Sequence, residues 1–145
     1  MKLFLDTNVL IDFLIERQPF YQASAMIVSC AAEGRIELCV SSLSVVTANY
    51  ICIERCKMPQ ETYRKKMDFL RGCIVICPVT SENIYRSYDA RWKDFEDGVQ
   101  YDVAKGCQAD YLVTRNAKDF EENEIPVMSA EQMCDKLKKW SNDKV

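Results

Sequence analysis

Short apolar runs alternate along the chain with longer stretches in which apolar residues recur every three or four positions. The short runs predict five strands, at 3–5, 37–40, 74–76, 111–114 and 126–128. The longer stretches have the periodicity of amphipathic helices. They predict helices over about 8–16, 19–34, 42–56, 59–72, 81–92 and 94–107, and a further helix from 129 onward.

Polar residues at the edges of these stretches predict where the helices begin. Ser42 or Ser44 is expected to cap the helix after the second strand, and Asp94 the helix before the fourth strand. Ser129 stands three residues before Gln132, which is the pattern of a capping box for the last helix.

Strands that alternate with helices indicate an α/β fold, in which helices flank a mostly parallel sheet. The length of 145 residues fits one domain over the whole chain, 1–145, and its 48% of hydrophobic residues suffices for a core. In such sheets, ligands bind beyond the carboxyl ends of the strands, near the point where the strand order reverses. Acidic residues that follow strands are therefore the first candidates for chemistry.

The composition narrows the chemistry that such acids could perform. The formal net charge of −3 excludes a strongly basic nucleic-acid binder, but it is compatible with a local basic surface. Because the chain contains no histidine, Ser-His-Asp and Cys-His catalysis are excluded, as is metal-free RNA cleavage by a histidine pair. Phosphodiester chemistry would need carboxylates and a metal ion, which would also offset the acidity near the phosphates.

The cysteines and the N-terminus indicate an intracellular protein. None of the 8 cysteines forms a C-x-x-C pair, and without histidine no Cys/His zinc site can form. We interpret them as free, buried thiols in a reducing cytosol. In Met1-Lys2-Leu3-Phe4-Leu5-Asp6 a charge comes too early and no apolar h-region follows, so this segment is not a signal peptide. No apolar run approaches the ~20 residues of a membrane span. We therefore expect a cytoplasmic protein without a membrane segment.

Two acidic clusters follow predicted elements in a way that suggests a site. Asp6 ends the first strand and is a metal ligand, the N-cap of the next helix, or both. Glu96 and Asp97 lie in the first turn of the helix that Asp94 caps, where the macrodipole favours acids in any case. Asp97 is close to the face that packs on the sheet, whereas Glu96 is rotated about 100° toward solvent.

A third cluster follows the fourth strand, in a loop expected over 115–124. Thr114, Asn116 and Asp119 lie where this strand leaves the sheet. They could equally form a polar turn, with Asn116 in a left-handed or Asx conformation. Together the three clusters offer oxygen ligands without histidine, which suits Mg²⁺ or Mn²⁺. Such ions activate a water and stabilise a leaving oxygen in phosphodiester cleavage.

Three segments also resemble the motifs of a known family, in order and spacing over nearly the whole chain. They are Leu-Asp-Thr-Asn-Val-Leu-Ile-Asp at 5–12, Asp-Gly-Val-Gln at 97–100 and Val-Thr-Arg-Asn-Ala-Lys-Asp-Phe at 113–120. These segments resemble PIN domains. The resemblance implies a three-layer sandwich with a mostly parallel central sheet of about five strands, and a Mg²⁺- or Mn²⁺-dependent ribonuclease. Many bacterial members are VapC-like toxins, which form homodimers and are inhibited by a cognate antitoxin.

The resemblance implies roles for individual residues. The catalytic and metal-binding residues would be Asp6, Asp97 and Asp119. The supporting polar groups would be Asn8, Asn49, Glu96, Thr114 and Asn116. Arg115 and Lys118 flank the acidic clusters and would contact RNA phosphates, the alternative being a solvated charged surface.

One position departs from the family pattern. PIN domains usually carry a glutamate on the helix after the second strand, and we align Asn49 with it to within one residue. An asparagine offers a neutral carbonyl oxygen, which is a poorer metal ligand than a carboxylate. Glu54 is about 140° further around the helix, so that Glu96 or Asp94 would have to compensate instead. We expect a site that binds metal weakly, holds fewer ions or is inactive.

Two other functions stay open at this point. One is a non-catalytic PIN-like module that binds RNA or a protein partner, which the missing glutamate favours. The other is a phosphatase of the haloacid-dehalogenase type, because Asp6-Thr7-Asn8 resembles its opening motif. Asn8 replaces the second aspartate of that motif, and no late Gly-Asp-x-x-x-Asp motif follows. The leading hypothesis is an endoribonuclease that acts as the toxin of a toxin–antitoxin pair.

Overall fold

The computed structural model describes residues 1–120 and 124–143, and in this part of the chain five strands form one sheet. The strands are β1 (Lys2–Leu5), β2 (Glu37–Ser41), β3 (Val75–Cys77), β4 (Tyr111–Val113) and β5 (Val127–Met128). Their order is β3-β2-β1-β4-β5, and each neighbouring pair is parallel. All five predicted strands are confirmed, and the sheet is parallel throughout.

Helices connect the strands in the described part of the chain. They are α1 (Thr7–Leu14), α2 (Tyr21–Ala32), α3 (Ser42–Tyr50), α4 (Gln60–Arg71), α5 (Ser81–Asp89), α6 (Phe95–Gly106) and α7 (Ala130–Asp143). The chain continues from α3 into a π-helical turn (Ile51–Arg55), and a 3₁₀ turn (Ala117–Asp119) follows β4. Among the residues described, no helix is both long and apolar enough to cross a membrane.

The strands send alternate side chains into two cores, one on each face of the sheet. Leu3 and Leu5 of β1 belong to the core that α1, α2, α3 and α7 cover, whereas Phe4 belongs to the core under α6. β2 and β4 alternate in the same way. On the second face, α5 packs against α6. Helices therefore cover both faces, which is the three-layer sandwich that the resemblance implies.

The strand order reverses beside β1. From β1 the chain passes to β2 and β3 on one side, and it then returns to β4 on the other side. The backbone N–H of Asp6 donates to the carbonyl oxygen of Val113 at 2.9 Å, which holds the carboxyl ends of β1 and β4 together. These two ends form the switch point at which α/β sheets bind ligands.

Several helix boundaries differ from the prediction: α1 ends at Leu14, α2 spans Tyr21–Ala32, and α3 ends at Tyr50, where the π-helical turn begins. Two other differences have a clear local reason. Ser41, not Ser42 or Ser44, caps α3, because β2 extends to Ser41 and its hydroxyl accepts a hydrogen bond from the N–H of Ser44. α5 ends at Asp89, before position 92, since Arg91 adopts a positive φ of 57° that a helix cannot continue through.

The other predicted caps are confirmed. Asp94 caps α6 by accepting a hydrogen bond from the N–H of Asp97. Ser129 and Gln132 exchange the two hydrogen bonds of a capping box at the start of α7. Of the loop predicted over 115–124, residues 121–123 lie outside the described residues.

Candidate active site

A cleft of about 340 Å³ opens where β1 and β4 end. Four carboxylates line it. Asp6 follows β1, and the other three, Asp94, Glu96 and Asp97, lie at the start of α6. Two of the three acids predicted as metal ligands, Asp6 and Asp97, are therefore brought together at the switch point.

Asp6 caps a helix and lines the cleft at the same time. Its Oδ1 accepts a hydrogen bond from the N–H of Thr7 at 2.8 Å. Its Oδ2 accepts one from the hydroxyl of Thr114 at 2.8 Å and a long one from the amide of Asn8 at 3.5 Å. The side chain is only 4% exposed, and this burial raises the pKa of Asp6 despite the hydrogen bonds. A carboxylate held in this way is poorly solvated, so a cation beside it would be favourable.

The predicted supporting groups connect the loop after β4 to the start of α1. Asn8 Nδ2 donates to Thr114 Oγ1 at 3.3 Å, and Asn8 Oδ1 accepts from the N–H of Arg115 at 3.2 Å. The N–H of Asn116 donates to Thr114 Oγ1 at 3.1 Å. Asn116 lines the cleft with a φ of −113°, so the left-handed conformation considered for it is not adopted. Asn8 and Thr114 therefore contact Asp6 directly, and the backbone of Asn116 holds Thr114.

Negative charges crowd the start of α6. Asp94 Oδ1 accepts a hydrogen bond from the N–H of Asp97 at 3.1 Å. Partial burial raises the pKa of Asp97 to about 7, and repulsion from Asp6 and from neighbouring acids on α6 adds to the rise. Burial, then repulsion from Asp6 and Asp94, also raises the pKa of Glu96. Glu96 is exposed, as expected, but it also lines the cleft.

Asp119, the third predicted metal ligand, lies at the margin of this acidic cluster. It ends the 3₁₀ turn after β4, its side chain is exposed, and it is not among the residues that line the cleft. Its charge nevertheless contributes to the raised pKa of Asp97, so the two carboxylates are neighbours. Next to it, the buried Phe120 anchors the turn by packing edge-on against Trp92, with ring centroids 5.9 Å apart.

A glycine allows the first turn of α6 to lie close to the preceding loop. A Cβ atom at Gly98 would lie 2.6 Å from Cγ of Trp92. The Trp92 ring also packs against Tyr101, with centroids 5.6 Å apart, so it has little room to retreat. The position of Asp97 in the cleft therefore depends on the absence of a side chain at the next residue.

A buried polar network lies behind the acids. The hydroxyls of Thr7 and Ser44 share a hydrogen bond of 2.7 Å, and Nε2 of Gln100 donates to both, at 3.0 and 2.9 Å. The hydroxyl of Ser41 donates to Ser44 at 3.1 Å. The network links α1, α3 and α6, and the sequence analysis missed it. The spacing of Gln100, three residues after Asp97 on the same helix face, was a weak indication that Gln100 lies near the site.

Arg115, predicted to contact phosphate, lines the cleft and is held there by two side chains. Its Nε donates to Oδ2 of Asp12 at 2.8 Å, and its guanidinium lies 4.6 Å from the ring centroid of Phe20. Asp12 is buried, and Arg17 lies 3.7 Å from its other oxygen. Neither Asp12 nor Arg17 was predicted to have a role, although Asp12 belongs to the opening motif. Lys118 is exposed and does not line the cleft.

Asn49, which we align with the family glutamate, does not reach the cleft. Asn49 is exposed and is not among the residues that line the cleft. From α3 and the turn that continues it, the residues that line the cleft are Thr47 and Ile51, which are four residues apart and share a helix face. Two residues turn a helix by roughly 200°, so Asn49 faces away. On this helix Thr47, rather than Asn49, is therefore the residue nearest to the acids.

Comparisons with known proteins agree with this architecture. Residues 2–118 match the model of the family described as PIN domain. The chain is also similar to a protein named Ribonuclease VapC1 from Aquifex aeolicus (strain VF5). The two are 25% identical over 142 residues, which cover 93% of this chain and 94% of that protein.

Solved structures share the fold at lower sequence identity. The crystal structure of VapBC2 from Rickettsia felis, bound to a DNA fragment from their promoter, matches with a TM-score of 0.63 and 17% identity, covering 89% of this chain and 98% of that one. A toxin–antitoxin complex from Klebsiella pneumoniae matches with a TM-score of 0.61 and 22% identity, covering 88% and 97%. At these identities the matches show a common fold alone.

Proposed function

This chain belongs to the PIN domain family, and we propose that it is a metal-dependent endoribonuclease that acts as the toxin of a toxin–antitoxin pair. The observation that carries the proposal is the convergence of Asp6 and Asp97, from separate elements, on one acidic cleft. The similarity to a protein named Ribonuclease VapC1 supports RNA as the substrate. Membership of the PIN family also favours this activity over the phosphatase considered from the opening motif.

The acidic cleft fits a hard divalent cation such as Mg²⁺ or Mn²⁺. Its anionic groups are carboxylates. The raised pKa of Asp97 reflects burial first and then repulsion from neighbouring acids, and a cation would relieve this repulsion. Asp6, Asp97 and Asp119 would hold the ion. Among the described residues, the cleft acids do not bring three ligand atoms within 4.8 Å of one another. That wider spacing suits an ion that keeps several of its waters between itself and the carboxylates.

When bound, the cation would activate a water for attack on a phosphodiester and stabilise charge on the leaving oxygen. The residues of the chain prepare the site for this chemistry. Thr7 and Thr114 orient the two oxygens of Asp6, so this acid is positioned before any ligand arrives. Asp97, whose pKa is raised in the metal-free protein by burial and by the neighbouring acids, would ionise as the cation binds and serve as its second carboxylate ligand.

Arg115 is the residue best placed to bind an RNA phosphate. Asp12 and Phe20 restrict its guanidinium group at the cleft wall, so it loses little conformational freedom when it binds. Lys118, on the adjacent turn, would add a second positive charge from the exposed side. Contacts of this type position the RNA and add affinity, but they do not read its sequence.

An antitoxin would be the controlling partner of this enzyme. Structural neighbours come from complexes with an antitoxin, such as the one from Klebsiella pneumoniae, which supports the idea. We also propose that the protein is a single domain over 1–145, forms a homodimer and is cytoplasmic. An adjacent gene for a small DNA-binding or helical protein would be the simplest independent support.

A second candidate is a PIN module with little or no catalysis that binds RNA or a protein. The observation that favours it is Thr47, which presents a hydroxyl where a carboxylate is expected to face the cleft. Asp94 and Glu96 would then have to supply the missing charge from α6.

RNA cleavage by the purified protein separates the two candidates. We expect cleavage of single-stranded RNA with Mn²⁺, none with EDTA, and none by Asp6→Asn. Asp68→Asn, on the exposed side of α4, is the matched control and should cleave like the wild type. Full activity of Asp6→Asn would refute the nuclease assignment. An absence of both cleavage and Mn²⁺ binding at millimolar metal would favour the binding module.

A further inference from the structure

Three cysteines from separate elements meet in the core under α6. Cys39 lies in β2, Cys77 ends β3, and Cys107 is the C-cap of α6. Their sulfur atoms all lie within 4.8 Å of one another. Within residues 1–120 and 124–143, no other set of three cysteine or acidic side chains brings its ligand atoms as close. We refer to these three residues as the thiol cluster.

The thiol cluster is far from the acidic cleft. α6 begins at the cleft, next to Asp94, and Cys107 follows its last residue. A helix of 12 residues is roughly 18 Å long, so the cluster and the cleft lie at opposite ends of α6. A ligand of the cluster would therefore be distinct from an ion held by the cleft acids.

A positive charge lies beside Cys107. Hydrogen bonds from the thiols of Cys39 and Cys77, together with the nearby charge of Lys2, lower the pKa of Cys107. Lys2 is held in place, because its Nζ donates to the carbonyl oxygen of Cys107 at 2.9 Å. Cys39 and Cys77 are buried, whereas Cys107 is half-buried. The half-buried Cys107 is therefore the side from which an ion could enter the cluster.

Strand register argues against a disulfide between the two buried members. Cys39 pairs with Val75, and Cys77 pairs with Ser41, so the two cysteines are diagonal neighbours on parallel strands. Their Cα atoms are roughly 8 Å apart, because the strands lie about 4.8 Å from each other and the two residues are offset by two positions along them. A disulfide requires less than about 7 Å. The sulfurs approach because the side chains converge, which suits a shared ligand better than a bond between them.

We propose that Cys39, Cys77 and Cys107 bind a thiophilic divalent cation such as Zn²⁺. Zinc–sulfur bonds of about 2.3 Å place the ligand sulfurs roughly 4 Å apart, so little movement is needed. On binding, three metal–sulfur bonds form and the protons of the thiols pass to solvent. Three thiolates and one divalent ion leave a single negative charge, which Lys2 offsets. Water would occupy the fourth position, on the half-buried side of Cys107.

Titration with Co²⁺ tests this site directly, because only thiolate ligands produce an intense sulfur-to-cobalt charge-transfer absorption. The full-length protein would be fully reduced, stripped of metal and titrated, and Zn²⁺ would then be added as competitor. We expect the absorption to saturate at one equivalent and to disappear with Zn²⁺. Asp6→Asn should leave it unchanged, because the acidic cleft contributes no sulfur ligand.

Cysteine variants identify the ligands. Cys107→Ser should weaken Co²⁺ binding at least tenfold, and Cys39→Ser should do the same if it folds. Cys52→Ser, which alters a buried thiol in the other core, is the matched control and should bind normally. The proposal would be overturned by a wild type that shows no thiolate absorption, or by equal absorption and affinity in Cys107→Ser. A non-reduced protein that lacks two hydrogens by intact mass and binds no metal after reduction would also overturn it.

Discussion

The hydroxyl of Thr114 donates a 2.8 Å hydrogen bond to Oδ2 of Asp6, across 108 residues of sequence. This bond joins the end of β4 to the end of β1, where the strand order reverses. Its acceptor is a buried carboxylate, and hydrogen bonds to ionised groups are roughly twice as strong as neutral ones. The orientation of the candidate ligand is therefore set by the neighbouring strand as well as by its own.

Replacing Thr114 by valine should weaken metal binding without unfolding the protein. Thr114→Val keeps the shape but removes the hydrogen bond, so the charged form of Asp6 loses support and its pKa rises further. A bond to a charged group contributes about 1.5–3 kcal/mol, which predicts at least a tenfold loss of Mn²⁺ affinity by calorimetry. Thr114→Ser retains the hydroxyl and should bind nearly as well as the wild type. Equal affinity in the valine variant would contradict this role.

The stability of the metal-free protein should fall as the pH rises toward neutrality. Asp97 has a pKa raised from 3.8 to about 7, so the folded state holds its proton more tightly than the unfolded chain does. The free energy of unfolding therefore decreases as the pH rises through this window. Urea unfolding in EDTA should show greater stability at pH 5 than at pH 8. Asp97→Asn should reduce the difference, and an unchanged slope in this variant would disprove the assignment.

Adding a methyl group at position 98 should disturb the first turn of α6. In Gly98→Ala, the new Cβ would lie 2.6 Å from the Trp92 ring. Such overpacking typically costs about 1–3 kcal/mol, and it should also weaken Mn²⁺ binding by shifting Asp97. Gly106→Ala is the matched control on the same helix, where a Cβ would meet nothing within 4 Å. Thermal unfolding should show a loss of stability in the first variant and none in the second.

A glutamate at position 47 should strengthen the metal site. Thr47 lines the cleft beside the acids, so Thr47→Glu places a fourth ligand within reach. We expect tighter Mn²⁺ binding and faster RNA cleavage. Asn49→Glu adds the same charge to the opposite side of the helix and should change neither quantity. If Asn49→Glu were the variant that improved binding, the placement of Thr47 at the cleft would be incorrect.

Truncation of Arg115 should affect both stability and RNA binding, and a second substitution should separate the two effects. Arg115→Ala leaves the buried Asp12 carboxylate with only the more distant Arg17, at a cost of about 3 kcal/mol. Adding Asp12→Asn should restore much of this stability by removing the buried charge. RNA affinity should stay low in both proteins, because the guanidinium group is absent from each. Recovery of RNA binding in the double variant would show that Arg115 acts only on the fold.

The sequence by itself determined the elements and the main acids of this protein. Apolar runs located every strand. In β1, β2 and β4 the runs are apolar because these strands are buried on both faces, whereas Val75 and Ile76 of the edge strand β3 are apolar although they are exposed. Asp6 and Asp97 were identified from their places after a strand and at the start of a helix, together with the family resemblance. Local patterns suffice for such features, since burial, periodicity and capping depend on residues close in sequence.

Only the tertiary structure decided which side chains meet across these elements. Thr47 rather than Asn49 lines the cleft because the packing of α3 fixes its rotation about its own axis. A shift of two residues along a helix moves a side chain to nearly the opposite face. The pairing of Asp12 with Arg115 joins residues 103 positions apart. The thiol cluster likewise requires the pairing of β2 with β3 and the far end of α6. These contacts follow from strand order and helix rotation. Both are properties of the whole packed chain, so local sequence patterns do not predict them.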